Sequence, residues 1–340
     1  MIDHRTDRRG ELVSDSADTG FPGRRVLVTG CAGFIGSHLA ESLLNDRIEV
    51  VGIDCFNDNY GRREKLRNLR HLTSWDAFEF TPIDLARGAL EDVVGECDLI
   101  FHLAAEPGVR TSWGARYEQY LRNNVLATQH LLEAVRPTPE TRFVFASSSS
   151  VYGNSELRPT PESAVLRPRS PYGQTKAAME YLCDLYRENF GLDTVGLRYF
   201  TVFGPRQRPD MAFHRICRAA IEGSQFTVFG DGKQTRDFSF VDDIVASTRA
   251  AAAAQLSEDR VFNIGGGSPA SLRDAIDLVS GFASRPLDVS YQETERGDVR
   301  DTSADTTLAR RVLGYTPTAT LRDGLEAEFN WMLAELAESH

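Results

Sequence analysis

No stretch of this 340-residue sequence comes near the run of about eighteen apolar residues that a membrane-spanning helix needs, so no span is expected. Cysteine is sparse: Cys31, Cys55, Cys97, Cys183 and Cys217 are scattered and have no metal-ligand spacing. That excludes a metal site built on cysteine and predicts reduced, mostly buried thiols in a cytoplasmic protein. Basic residues are in deficit, with 38 Lys and Arg against 49 Asp and Glu and a net charge of −11. This argues against a nucleic-acid surface or an anionic membrane as partner, and any anionic ligand must be held by local arginines. The first 23 residues have no apolar core, which predicts a disordered tail over 1–23 and no signal peptide. No internal repeat is visible. The remaining composition, 41% hydrophobic and 26% charged, is ordinary for a soluble globular chain, and the length suggests one large or two intermediate domains.

What is present is a repeated strand–helix alternation. Arg25 to Thr29 reads as a buried strand, followed by Gly30-Cys31-Ala32-Gly33-Phe34-Ile35-Gly36 and an amphipathic run to Asn45. A strand from Ile48 to Ile53 then ends in Asp54. This order is what a dinucleotide site needs. The glycines allow a tight turn and a close approach of pyrophosphate to backbone N–H groups at a helix start, and Asp54 suits ribose hydroxyls, favouring NAD over NADP. Further strands are expected at Phe78 to Ile83, running into Asp84 and Leu85, and at Asp98 to Leu103, opening into Ala104-Ala105. Others are expected at Arg142 to Ser147 and Thr194 to Phe200, with a long helix over roughly Arg116 to Val135. The pattern predicts an α/β protein: a Rossmann-type doubly wound parallel sheet with helices on both faces and ligands beyond the strand carboxyl ends. Residues 24–202 would form this domain, with returning segments near 237–266 that include Phe262 to Ile264. Residues 203–340, punctuated by Gly and Pro, would form a smaller substrate-binding lobe.

The chemistry centres on Ser170-Pro171-Tyr172-Gly173-Gln174-Thr175-Lys176, read with the serines 147–150 before it. Ser170 and Pro171 look like an N-cap and first helical residue, which puts Tyr172 and Lys176 one turn apart on one face. A phenol with a pKa near 10 is a poor base at neutrality; a neighbouring ammonium favours the phenolate, and a hydroxyl at the preceding strand end can share the proton. Elsewhere the simplest expectations are structural. His102 reads as a core residue, His214 as surface, Trp75 and Trp113 as packing residues, and Gly61 to Arg70 as the solvated face of a helix. Ala250 to Ala254 reads as the packed end of a helix, and Phe226 to Phe229 as a short strand.

Taken together, TGCAGFIGSHL, HLAA, SSSSVYG, SPYGQTK and RYFTVFGPRQRPD resemble the extended short-chain dehydrogenase/reductase family, in its nucleotide-sugar epimerase/dehydratase branch. The resemblance runs from about Arg24 to the C-terminus. It implies NAD as cofactor and a UDP-sugar as substrate, with Ser148, Tyr172 and Lys176 catalytic. It also implies a cofactor shell of Gly30, Gly33, Phe34, Ile35, Gly36, Asp54, Asp84, Leu85, Leu103, Ala104, Ala105 and Asn124, together with Tyr172 and Lys176. On the substrate side it implies Ser148, Ser149, Thr201 and Arg208, and it places Arg236 and Arg300 on the nucleotide diphosphate. No metal is implied. The helices of roughly Tyr117 to Ala134 and Tyr172 to Asn189 would form a homodimer contact.

Two positions sharpen the substrate choice within that resemblance. Ser150 stands where dehydratases and many uronate decarboxylases of the branch carry an acid, which resembles the epimerases. Thr201 and the run Gly204 to Ala212 look like the uronate epimerases, in which the arginine matching Arg208 meets the sugar carboxylate. The expected function is NAD-dependent 4-epimerisation of a UDP-sugar, UDP-glucuronate to UDP-galacturonate, through a 4-keto intermediate. The alternatives are a UDP-glucuronate decarboxylase giving UDP-xylose or its 4-keto form, a UDP-glucose 4-epimerase, and a catalytically silent nucleotide-sugar sensor.

Overall fold

The computed structural model describes residues 21–57, 61–293 and 299–337. Residues 1–20 of the expected tail, and Gly297 and Asp298 beside Arg300, lie outside them. The first two hundred or so residues supply strands β1 (Arg25–Thr29), β2 (Glu49–Ile53), β3 (Phe78–Thr81), β4 (Leu99–His102), β5 (Arg142–Ser148) and β6 (Thr194–Tyr199). Shorter strands follow: β7 (Thr201–Phe203), β8 (Phe226–Phe229), β9 (Thr235–Arg236), β10 (Phe238–Phe240), β11 (Val261–Ile264), β12 (Ala270–Ser271) and β13 (Val289–Gln292). Helices α1 (Phe34–Asn45), α2 (Arg62–Leu72), α3 (Glu91–Gly95), α4 (Tyr117–Tyr120), α5 (Ala127–Val135) and α6 (Pro171–Phe190) alternate with the early strands. Helices α7 (Ala212–Glu222), α8 (Val241–Ala253), α9 (Leu272–Phe282), α10 (Thr307–Leu313) and α11 (Leu321–Ala337) complete the chain.

Seven strands form one sheet in the order β11-β6-β5-β4-β1-β2-β3, every neighbouring pair parallel. A parallel sheet is covered on both faces, so its strands are continuously apolar. β1 and β2 are buried from their second residue, and β4 and β6 throughout. On one face α1, α2, α8 and α10 contribute Leu39, Leu43, Leu72, Ile244 and Leu313; on the other, α3, α5 and α6 contribute Val94, Leu131, Val135 and Cys183. A third core joins Phe213 and Ile216 of α7, Phe226 of β8, Val279 of α9 and Leu325 and Phe329 of α11 to Phe203. Each such fully buried side chain contributes roughly 1.5–3 kcal/mol. The strand order reverses between β1 and β4, which opens a crevice at their carboxyl ends.

Several expectations need correction. The helix from Arg116 is continuous to Val135 in α4 and α5 but passes through a stretch of wider, π-type turns over Leu121–Leu126, a distortion common at functional sites. His214 is buried, because its Nδ1 pairs with the Gln207 carbonyl at 2.9 Å. Trp113 is 49% exposed, in the connection between two short 3₁₀ turns, and so is not a packing residue. Nor is the basic helix α2 solvated all round: Lys65 and Asn68 are buried with Leu69 and Leu72. His102 is a core residue, bonded to the Thr29 and Thr128 hydroxyls at 2.9 Å each, and burial pushes its imidazole down to about 3. Trp75 packs partly buried against the sheet core, as does Phe21 at the end of the expected tail.

Two buried carboxylates tie elements together. Glu180 of α6 takes Nε and an outer nitrogen of Arg198 (β6) at 2.9 and 2.6 Å, and also the Ser147 hydroxyl of β5. Arg198 also donates to the Tyr152 hydroxyl at 2.7 Å, and Tyr152 donates to Asn263 of β11 at 2.7 Å. Glu328 of α11 accepts the Gly204 N–H at 3.0 Å, and burial holds its carboxyl well above the usual range. Removing one partner of a buried pair strands the other charge. Arg198→Met is therefore expected to lose about 3–5 kcal/mol of unfolding free energy in urea titration, and a wild-type stability would contradict this account of the pair.

Candidate active site

A cleft of about 390 Å³ opens where β1, β2, β4, β5 and β6 end. Its floor is the turn after β1. Gly30 there has φ +72°, and a Cβ on Gly36 would sit 2.2 Å from the Gly30 carbonyl oxygen, so neither position admits a side chain and α1 begins directly beneath the cleft. Gly33 caps α1 with no side-chain hydrogen bond, leaving backbone donors at the helix start. Phe34, Ile35 and Gly36 line the same floor, Asp84 and Leu85 border it after β3, and Leu103, Ala104 and Ala105 border it after β4. Asp54, ending β2, is buried and accepts the Phe56 N–H at 2.8 Å and Lys65 Nζ at 3.3 Å. Backbone donors at a helix start and a carboxylate at the next strand end are the donor set a dinucleotide's pyrophosphate and ribose require, so the residues present fit NAD.

The reacting groups enter from β5 and α6. Ser170 caps α6, its hydroxyl accepting the Gly173 N–H at 3.1 Å, and Pro171 opens the helix. A Cβ on Gly173 would fall 2.5 Å from the Ser150 carbonyl oxygen, so glycine is what lets the first turn of α6 press against the end of β5. Tyr172 and Lys176 accordingly face the cleft with Ser147 to Ser150. The Tyr172 phenol packs edge-on to Tyr120 at 6.3 Å, and the Ser148 hydroxyl that lines the cleft with it donates to Ser150 at 3.1 Å. Burial pushes the Tyr172 pKa up; the Ser148 hydroxyl and the Arg208 guanidinium oppose that.

Lys176 is held at the end of β5. Its ammonium donates to the Ala146 carbonyl at 2.8 Å, and burial pushes it down to about 8, with Glu180 opposing. The Arg208 guanidinium also favours the phenolate of Tyr172.

Thr201 and Arg208 complete the cleft beyond β6. The Arg208 fork grips Asp210 at 3.0 and 2.8 Å and holds that carboxyl below its ordinary value despite burial. Asn124 is fully buried behind the wall, bonded to the Glu106 N–H (2.6 Å), the Glu106 carbonyl (3.1 Å) and the Thr175 hydroxyl (2.9 Å). Arg236 and Arg300 are not brought into the cleft. Arg236 donates to the Thr235 and Arg300 carbonyls at 3.0 and 2.5 Å, and the Arg300 side chain is 74% exposed beside Asp301.

The sequence reading missed Lys65, Asn57 and Asn123, which line the cleft, and Arg122, which pairs with Asp84. Lys65 shares a helix face with Leu69 and Leu72, four and seven residues on, a spacing that could have marked it as inward.

Similarity to known proteins follows the same outline. Residues 26–265 match the family model "NAD dependent epimerase/dehydratase family". The chain is 42% identical over 309 residues to the uncharacterized UDP-glucose epimerase YtcB of Bacillus subtilis, covering 91% of this chain and 98% of that one. It is 35% identical over 309 residues to a UDP-glucuronate 4-epimerase of Thermodesulfobacterium geofontis, covering 90% and 95%. The structure superposes with a TM-score of 0.88, at 42% identity, on the UDP-glucuronic acid 4-epimerase from Bacillus cereus in complex with UDP-glucuronic acid and NAD, covering 92% and 99%.

A buried lysine with a depressed pKa costs stability while it stays charged. Between its folded value and the ordinary one the unfolded chain binds the extra proton, so stability rises with pH across that window. From about pH 8 to about pH 10.5 the parent is expected to gain on the order of 3 kcal/mol relative to Lys176→Met, followed by urea unfolding at several pH values. A gap independent of pH would remove this account of Lys176.

Proposed function

The chain belongs to the NAD dependent epimerase/dehydratase family, and from that premise we propose that it interconverts C4 epimers of a UDP-sugar, UDP-glucuronate and UDP-galacturonate, through a 4-keto sugar. The observation that carries the uronate is Arg208, a guanidinium facing the cleft whose fork already grips a carboxylate and whose charge reaches Tyr172. A sugar carboxylate offers the same geometry as Asp210, and charge-assisted contacts contribute roughly 1.5–3 kcal/mol each.

In this reading Tyr172 takes the proton of the sugar 4-hydroxyl, and the Ser148 hydroxyl, which favours the phenolate, shares it. NAD, when bound, supplies the two-electron acceptor that C4 needs and gives the pair back. Lys176, anchored on the Ala146 carbonyl, holds the ribose beside the reacting carbon, and Thr201 lines the sugar end. Arg208 opposes the burial of the phenol while holding the sugar's carboxylate. A 4-keto uronate loses CO₂ readily if the breaking bond aligns with the carbonyl, so an epimerase has to hold the carboxylate out of alignment. Ser150, where an eliminating enzyme of this kind would carry an acid, supports epimerisation. Arg236 and Arg300 remain proposed diphosphate contacts, supported by their charge and by their adjacency at the rim of the second lobe (203–340).

A homodimer belongs to the same proposal. The helix through Tyr117–Val135 and α6 pack side by side and leave Leu121, Leu126, Tyr181 and Leu185 between 38% and 60% exposed. Such a patch on adjacent helices suits a second copy of the chain. A cytoplasmic location is also proposed, supported by five free cysteines.

Incubation with UDP-glucuronate should give an isomer of unchanged mass without net NADH, whereas loss of CO₂ in mass spectrometry would overturn epimerisation. Tyr172→Phe is expected to lower kcat by roughly 10²–10⁴-fold with sugar binding retained; wild-type turnover would remove the mechanism. Arg208→Ala should cost UDP-glucuronate about 10²-fold in kcat/KM and UDP-glucose far less, so an equal loss on both would sink the carboxylate role. Leu185→Glu should shift the light-scattering mass from two chains to one.

A further inference from the structure

One buried carboxylate at the cleft has no part in this chemistry. Glu106 follows Ala104-Ala105 and is fully buried, with its backbone clamped on both sides by Asn124. Its Oε2 accepts three side-chain amides, from Asn57 at 2.7 Å and from Gln119 and Asn123 at 3.2 Å each. Oε1 has no hydrogen-bond partner among the described residues and faces Arg116 at 3.6 Å. Asn57 in turn accepts Lys65 Nζ at 2.6 Å, and Lys65 reaches Asp54.

These contacts span the cleft. Asn57 lies beyond β2, and Glu106 lies beyond β4, with Gln119 and Asn123 on the helix that follows. In the sheet β2 and β4 flank β1, whose glycine turn forms the floor between them. Asp54, Asn57 and Lys65 line one wall; Pro107, Gly108 and Asn123 line the other. A charged acceptor shared by donors from both walls holds them at a fixed separation, and without it three amides lose their common partner.

We propose that Glu106 is a positioning residue that clasps the two walls of the cofactor cleft across the glycine turn and so slows release of the bound dinucleotide. The proposal rests on NAD being the ligand of this cleft. Protein preloaded with NADH and chased with excess NAD in a stopped-flow fluorimeter reports the release rate without any sugar. Glu106→Ala should release NADH about tenfold faster or more, with association nearly unchanged. Glu106→Gln keeps an oxygen for the same three donors and should stay within about threefold of the parent. Gln119→Ala removes one donor from outside the cleft lining and should accelerate release by less than Glu106→Ala; if Glu106→Ala does not fold, this variant decides the matter. Release at the parent rate in Glu106→Ala, or in Gln119→Ala where it stands alone, overturns the clasp, as does equal acceleration in Glu106→Gln and Glu106→Ala. A parent that takes up no NADH overturns the NAD reading and the clasp together, whereas normal uptake with unchanged release removes only the clasp.

Discussion

The Glu180–Arg198 ion pair sets the geometry on which the cleft depends. Tyr172, Lys176 and Glu180 stand on successive turns of α6; Lys176 is tied to β5 through the Ala146 carbonyl and Glu180 to both β5 and β6. Its partners bind it to β5 through Ser147 and to β6 through Arg198, and Tyr152 carries the link on to Asn263 in β11. A helix held by its third turn against two strands cannot slide, so its first turn meets the end of β5 in one register. A buried ion pair is a weak source of net stability, and here it is better understood as fixing position. Its charge also reaches Lys176, keeping the ammonium more protonated than burial alone would allow.

Burial acts on both members of the Tyr-x-x-x-Lys pair. Lys176 spends a donor on the Ala146 carbonyl and is itself pushed toward neutrality, while the phenol is pushed up by the same burial. The groups that draw the phenol back are Ser148 and Arg208. If Arg208 also receives the sugar's carboxylate, substrate recognition and base strength share one cation. A neutral sugar would then leave the phenol in a different field from a uronate, and preference for one over the other would appear in turnover as well as in binding.

The parallel sheet was legible in the sequence because its strands are buried on both faces and read as short apolar runs. β1 and β8 match the expected spans, and the expected Phe78–Ile83 strand stops at Thr81 in β3. The cap of α6 was legible because Ser170 and Pro171 act locally. Features that depend on distant partners were hidden. His214 is buried through Gln207, seven residues away on a turn that only the fold defines. The inward turn of Lys65 requires Asp54 and Asn57, and the environment of Glu106 requires side chains from three further points in the chain. Arg236 and Arg300 carried a role through resemblance alone, and the structure turns the Arg236 guanidinium onto neighbouring carbonyls.

The Glu328–Gly204 contact joins the end of the chain to the segment that bears Arg208. α11 is far in sequence from every reacting group, yet one of its carboxyl oxygens fixes the amide at the root of that segment, inside a core shared with Phe203. A premature stop codon ahead of α11 would leave the serine, tyrosine and lysine intact and still untether the arginine. The same truncation would strip Leu325 and Phe329 from the core around Phe203, so the last helix supports the packing of the second lobe as well as the segment that bears the arginine.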